Sequence, residues 1–367
     1  MQSREQQVLS LIRDNPMLPQ QAIAAQLGIS RSAVAGHIMN LTRKGAIKGR
    51  GYVFSDAPFV TVIGGANIDI HGKSNKALRR DDSNPGTVNT SAGGVARNIA
   101  ENLARLGVDS RLISAVGSDH HGQMLMRLCR DAGVDMQYVQ EIDSVPTSTY
   151  LSVLNNNGDM HVAVADMSII DNLGVERLRP LQTALGQSSL IVLDTNLTDD
   201  ALAWLTHTFV DKPIFVDTVS SSKAIRIRPY LQFIHTLKLS TIEAEALTGN
   251  EAHTQAQLQK IAKQLHSQGV ERVFITRGNQ GVFYSDGNAQ GKQKLKREKR
   301  DVHNTGGAGD AFLAGLAYAW LEDWPLDESV SFALAAADIT LSHPATVSPA
   351  LSLAAINRTV EEAQRAE

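Results

Sequence analysis

The run Asn304-Thr305-Gly306-Gly307-Ala308-Gly309-Asp310 combines residue types that phosphate chemistry uses. It follows a stretch that suits a strand and opens an apolar segment of helical period: Ala311, Leu313, Ala314, Leu316, Ala317, Tyr318 and Trp320. Three glycines at such a turn let the backbone approach a ligand and leave the first N–H groups of the helix pointing at an anion. Asp310 puts a carboxylate inside that turn, where it would repel a bound phosphate. A general base beside a phosphoryl group in transfer explains it. The plainer alternative is a Gly-rich turn with an acidic residue in the first helical turn.

A second segment, Gly93-Gly94-Val95-Ala96-Arg97-Asn98-Ile99, also opens an amphipathic helix. Ile99, Leu103 and Leu106 share one face, and Gly107 suits the C′ position. Asn98 lies one turn in, within reach of a hydroxyl held over the helix N-terminus. The chain has neither a P-loop G-x-x-x-x-G-K-[ST] nor a protein-kinase glycine loop, which excludes those two designs. In this order the two segments resemble the paired signatures of the PfkB (ribokinase-like) family of sugar and nucleoside kinases, over residues 58–365.

Several elements must position these turns. Apolar runs at 59–63, 111–116, 189–193, 213–216, 236–239 and 272–276 alternate with helical segments. That alternation predicts an α/β fold with a mostly parallel sheet covered by helices on both faces, and ligands outside the carboxyl ends of its strands. Asp69, Asp194, Asn196, Asp217 and Arg277 fall at such ends. Residues 68–90 and 147–168 are polar and strand-like, with Asn157-Gly158 as a hairpin signal. They resemble the small β-lid that covers the sugar site in this family.

The resemblance implies roles residue by residue. Asp310 takes the proton of the acceptor hydroxyl, and the N–H groups of Gly307, Ala308 and Gly309 hold the charge that develops on the phosphoryl group. Asn67, Asp69, Gly93, Gly94, Asn98 and Asp166 face the sugar or nucleoside. Lys238, Ser240, Thr276, Arg277, Gly278, Gly281, Asn304 and Thr305 lie on the ATP side. Glu243 matches the acidic end of an Asn-x-x-Glu motif that places Mg²⁺ through water; Ser240 stands where the family has Asn. Asn304 stands where the family often has Asp beside a K⁺ site, and an amide coordinates K⁺ less strongly. His71, His303 and His343 flank these sites without metal-ligand spacing. The basic run Lys292–Arg300 reads as a solvated edge strand, or as an attractor of phosphate or DNA.

The chain has 367 residues and a formal net charge of −3. Residues 1–55 hold seven Lys/Arg against two acids, a net +5, so the remainder carries −8. A basic head on an acidic body predicts two domains with different partners. In the head, Ala22-Ile23-Ala24, Leu27-Gly28-Ile29-Ser30 and Val34 resemble a winged helix-turn-helix, with helices over 3–14, 20–27 and 31–44 and a hairpin wing over 47–54. Arg31, Ser32 and His37 would then meet bases in DNA, while Arg43, Lys44, Lys48 and Arg50 meet phosphates. The alternative is a helical appendage that docks on protein. The expected domains are 1–56 and 58–365. The single Cys129, in an apolar-periodic segment, the lack of a signal peptide and the lack of a long apolar run point to the cytoplasm and away from membranes.

Within the family, Asp82–Gly86, Gly93–Ala100, Thr147–Leu154, Asp166–Ile169 and His235–Lys238 look most like the pseudouridine kinases. That resemblance implies a nucleoside acceptor; other nucleosides or a free pentose remain the alternative, as does a nucleoside-sensing regulator. Lid pairing and paired winged helices make a homodimer the expected assembly.

Overall fold

The computed structural model describes residues 3–15, 18–43, 58–157, 159–295 and 306–365. The chain divides into two compact units, Met1–Ala57 and Pro58–Glu367. The first contains helices Arg4–Asp14, Gln20–Leu27 and Arg31–Arg43. Ser3 caps the first helix in a reciprocal box with Gln6, Gly28 ends the second in the left-handed region (φ 63°), and the Ser30 hydroxyl accepts the Ala33 N–H at 3.1 Å to start the third. Val8, Ile23, Ala24, Val34 and Leu41 form its core. Arg31 and Ser32 are exposed and His37 is half-buried. The Arg43 side chain, Lys44, Lys48, Arg50 and the hairpin expected over 47–54 lie outside the described residues.

The second unit contains β1 (Phe59–Ile63), β2 (Asn67–Ser74), β3 (Gly86–Gly93), β4 (Asp109–Ile113), β5 (Ala115–Gly117), β6 (Gln140–Ile142), β7 (Thr149–Leu154), β8 (Met160–Asp166), β9 (Leu190–Asp194), β10 (Ile214–Asp217), β11 (Thr236–Ser240), β12 (Arg272–Thr276), β13 (Val282–Ser285) and β14 (Gln290–Gln293). The main sheet has the order β14-β13-β12-β11-β10-β9-β1-β4. It is parallel from β4 to β12, and β13 and β14 run antiparallel at one edge. Unbroken apolar strands such as Leu190-Ile191-Val192-Leu193 require cover on both faces. One face packs Ile63, Leu193 and Val216 with Leu202, Leu205 and Ile261; the other packs Val62, Val192 and Phe215 with Ile99, Phe312 and Ala333. The expected strand over 111–116 is interrupted at Ser114, whose hydroxyl donates to the Gly64 carbonyl at 2.7 Å. The chain resumes as β5, which pairs with β6 outside the main sheet.

A smaller sheet, β3-β2-β7-β8, carries the polar segments. Its alternation puts Asp69, His71, Tyr150 and Ser152 on one face, and Ile70, Val88, Leu151, Val162 and Val164 on the other. The apolar face lies open: Val88 is 71% and Val164 61% exposed. The Asn155 carboxamide oxygen accepts the N–H groups of Asn157 and Asp159, each at 2.9 Å, and so shapes the β7–β8 turn; Gly158 lies outside the described residues. Lys292 sits on the edge strand β14, as expected, while residues 296–300 lie outside the described residues. No described helix is long and apolar enough to cross a membrane.

Candidate active site

The site is built at the carboxyl ends of the parallel strands, and its floor is tied together by one carboxylate. Asp194, the last residue of β9, is fully buried. Its Oδ2 accepts the N–H of Gly65 at 2.8 Å and of Ala96 at 3.0 Å, and its Oδ1 accepts that of Asn196 at 2.9 Å. It thus joins the β1–β2 turn, the start of helix Val95–Arg105 and the end of β9. Burial raises its pKa against these hydrogen bonds. A Cβ at position 64 would fall 2.3 Å from the Asp194 carboxyl carbon, and one at position 94, where φ is 99°, 2.5 Å from Gly65 O. The two glycine turns therefore interlock before any ligand enters.

Asp310 is the third residue of helix Ala308–Leu321 and is buried. Its Oδ2 accepts from Asn98 Nδ2 at 2.7 Å. Lys238, on β11, donates to Asp217 Oδ2, at the end of β10, at 2.9 Å. A Cβ at position 309 would fall 2.6 Å from the Lys238 ammonium, so Gly309 is what lets that cation lie against the turn. Burial, and then the Asp217 carboxylate, push the Asp310 pKa up to about 7, against Lys238 and the Asn98 hydrogen bond. Burial disfavours the Lys238 charge, but Asp217, Glu243 and Asp310 outweigh it and hold the ammonium above its ordinary pKa. Asp217 Oδ1 accepts the N–H of Val219 at 2.9 Å; Val219 adopts φ 59°, a strained value for a β-branched residue.

Other expected site residues take definite places. Asn67 Nδ2 donates to Asp69 Oδ1 at 2.7 Å, and burial raises the Asp69 pKa. Gly93 packs on that carboxylate: a Cβ there would fall 2.2 Å from Asp69 Oδ2. Asn98 is turned into the protein: its oxygen accepts from Arg97 and from Thr346 Oγ1. Ser240 and Glu243 form a capping box, with Glu243 Oε2 accepting the Ser240 N–H at 2.7 Å and the Thr218 hydroxyl at 2.8 Å. Thr276 pairs with Ser240 across β11 and β12, so the turns that follow these two strands share one sheet end. Arg277 donates to the His253 carbonyl at 3.2 Å, and Gly278 has φ 54°. Gly281 is needed against β14, where a Cβ would meet Gln293 O at 2.1 Å. Asp166 stands apart: it is exposed at the end of β8, and its Oδ1 accepts from the Ser168 hydroxyl at 2.7 Å. Asn304, Thr305 and His303 lie outside the described residues. Among the described residues no three His, Cys, Asp or Glu side chains form a metal-holding group.

Sequence reading gave no specific role to Arg97, Thr346 or Lys223. Lys223 Nζ donates to Asn196 Oδ1 at 2.5 Å, and burial lowers its pKa. Thr346 lies in a segment with neither period nor motif, and only the fold brings it to residues 92–98.

A parallel α/β sheet with a buried carboxylate at a glycine-framed helix N-terminus, and a lysine beneath it, defines a phosphotransferase that acts on an alcohol group. Residues 57–352 match the model of the pfkB family carbohydrate kinases, and the chain belongs to that family. Residues 1–48 match a winged helix-turn-helix DNA-binding model. The chain is 38% identical over 353 residues to an uncharacterized sugar kinase, YeiI, of Escherichia coli K12, covering 96% of this chain and 97% of that one. It is 41% identical over 309 residues to the pseudouridine kinase of the same organism, covering 83% and 97%. A solved carbohydrate kinase from Agrobacterium tumefaciens, 29% identical, superposes with a TM-score of 0.72 over 83% of this chain and 97% of its own. A solved ribokinase from Arabidopsis thaliana with this fold, 21% identical, is complexed with ribose and ATP.

Proposed function

We propose that this protein transfers the γ-phosphoryl group of ATP to the 5′-hydroxyl of a nucleoside, with pseudouridine as the acceptor. The buried Asp310, oriented by Asn98 at the mouth of a helix N-terminus, carries the chemical part of this reading. The acceptor follows from the similarity to pseudouridine kinase, which spans nearly all of that enzyme.

Asp310 receives the hydroxyl proton as the oxygen attacks the γ-phosphorus; the bond to the β-phosphate oxygen breaks and ADP leaves. The N–H groups of Gly307, Ala308 and Gly309 hold the developing charge. Asn67, Asp69, Gly93 and Gly94 form the acceptor side, Asn98 serves it through Asp310, and Asp166 would reach it only from the exposed end of β8; the smaller sheet over it excludes water that would otherwise take the phosphoryl group. Lys238, Ser240, Thr276, Arg277, Gly278 and Gly281 form the nucleotide side, together with Asn304 and Thr305. Mg²⁺ bound with ATP would neutralise phosphate charge, and Glu243 is the residue that would hold it through water: its Oε2 is committed to the cap, which leaves Oε1 for that contact. K⁺ would act beside Asn304.

An acceptor panel of pseudouridine, uridine, ribose and fructose tests this reading directly. The expected result is ATP-dependent turnover of pseudouridine at least about tenfold above the others, because a nucleoside lacking the matched polar edge leaves buried groups unpaired. Turnover of ribose instead would keep the mechanism and replace the acceptor. No turnover, with a nucleoside still bound, would favour a sensor.

The N-terminal unit is proposed to bind DNA through Arg31, Ser32 and His37, with Arg43 and Lys44 on the phosphates. The exposed N-terminal end of helix Arg31–Arg43 supports this. Arg31→Glu is expected to weaken duplex binding roughly tenfold or more in a gel shift at physiological salt and to leave kinase turnover unchanged. Equal binding by both proteins would remove Arg31 from the interface. The apolar outer face of the smaller sheet is the surface on which a second copy would pair.

A further inference from the structure

Asn98 can hold Asp310 in two ways, and only one serves a base. Its carboxamide has an acceptor end and a donor end, and a flip exchanges them. Arg97 removes the choice. Its side chain is 3% exposed, and the guanidinium has no acceptor atom. Arg97 Nε donates to Asn98 Oδ1 at 3.1 Å, and a second nitrogen of the same guanidinium, NH2, donates to that oxygen too. NH2 also reaches the Ala92 carbonyl and Thr346 Oγ1, each at 3.3 Å, while NH1 pairs with Glu101 at 2.6 Å. Glu101 is itself held by Arg105 at 2.7 Å, so the guanidinium is fixed from both sides. A flipped Asn98 would point its NH2 at a donor-only group and its oxygen at a carboxylate.

We infer that Arg97 is a positioning residue for the base: it locks Asn98 so that Nδ2 always donates to Asp310 Oδ2, which keeps the proton off that oxygen and leaves Oδ1 as the atom that receives the acceptor's proton. This rests on the kinase reading above. Asp217 on β10, Lys238 on β11 and Asp194 on β9 also act on Asp310. Among the described residues none of them hydrogen-bonds to Asn98, so the lock is separate from that charge balance.

Two variants of one position test it. Arg97→Lys keeps a donor-only group, whereas Arg97→Gln offers both a donor and an acceptor. With the preferred acceptor and ATP, Arg97→Gln should lower kcat roughly tenfold at pH 7, leave the acceptor KM within about threefold, and move the acidic limb of the pH profile upward. Arg97→Lys should keep the wild-type limb. Identical limbs in the two variants, or a KM effect with kcat unchanged, would overturn the inference. Should either variant fail to fold, the wild-type protein decides. Side-chain ¹⁵N resonances of Asn98 should titrate with the same midpoint as the kinetic limb, and resonances that do not titrate overturn it. An inactive wild type with a titrating Asn98 would sink the kinase reading and leave the lock standing.

Discussion

Asp310→Asn is expected to lower kcat by roughly 10²–10⁴-fold while changing the acceptor KM only a few-fold, which is the signature of a lost general base. The substitution is close to isosteric, and its carbonyl oxygen still accepts from Asn98 Nδ2, so the turn and the phosphate-facing N–H groups persist. In the wild-type enzyme, kcat/KM should rise with pH through a limb near 7, because the base works only when ionised and burial pushes its pKa to about 7. The residual rate of the variant should lack that limb. A variant retaining more than about a tenth of wild-type kcat would assign the proton transfer elsewhere. Stability makes an opposite and independent check. The folded pKa of Asp310 lies above its ordinary value of 3.8, so the unfolded chain binds fewer protons between the two values. Its contribution to stability is complete below the ordinary carboxylate pKa and is lost as pH rises through about 7. At pH 8, Asp310→Asn should therefore melt at or above the wild-type temperature. An enzyme that is crippled yet no less stable is what a charge buried for catalysis predicts.

How far the sequence could be read depended on the range of the interaction. The glycine pairs at 93–94 and 306–307 and the apolar runs of β1, β9 and β11 are local signals, fixed by backbone conformation and period. They lead directly to the fold and to the place of Asp310 in the first turn of its helix. The helices of the N-terminal unit were legible for the same reason: Ser3, Gly28 and Ser30 act within one turn of themselves. What resisted reading was long-range. Asp194 looks like any strand-end carboxylate until three backbone N–H groups from separate segments are seen on it. Asn98 is legible as a residue at the acceptor end of its helix, whereas the division of its two ends between Asp310 and Arg97 is one that no spacing encodes. Gly281 read as a nucleotide glycine, although β14 already demands it. Glu243 read as a metal residue, but a capping box of the form Ser-x-x-Glu was visible in Ser240–Glu243 and accounts for one of its oxygens.

Asp194→Ala should unfold the site more severely than any single glycine replacement there. Its carboxylate accepts the N–H groups of Gly65, Ala96 and Asn196. Each buried N–H left without an acceptor costs about 1–3 kcal/mol, and one methyl group replaces none of the three bonds. A combined loss of at least about 3 kcal/mol is expected, which for a body of this size lowers the melting temperature by roughly 4–5 °C or more. Asp194→Asn separates charge from geometry. Its single carbonyl oxygen can serve the Gly65 and Ala96 donors together, but its NH2 then faces the Asn196 N–H, donor against donor. Asn should therefore recover only part of the loss, even though it removes a buried negative charge whose pKa burial raises. Activity should fall in both variants in proportion to how far the two glycine turns part, since Gly64 and Gly94 are held within contact distance of their neighbours by this one side chain. Full recovery of the melting temperature by Asn would mean that desolvation of the charge, rather than the three-way hydrogen bond, dominates at this position. The tie would then be a cost that the fold tolerates for the sake of the site.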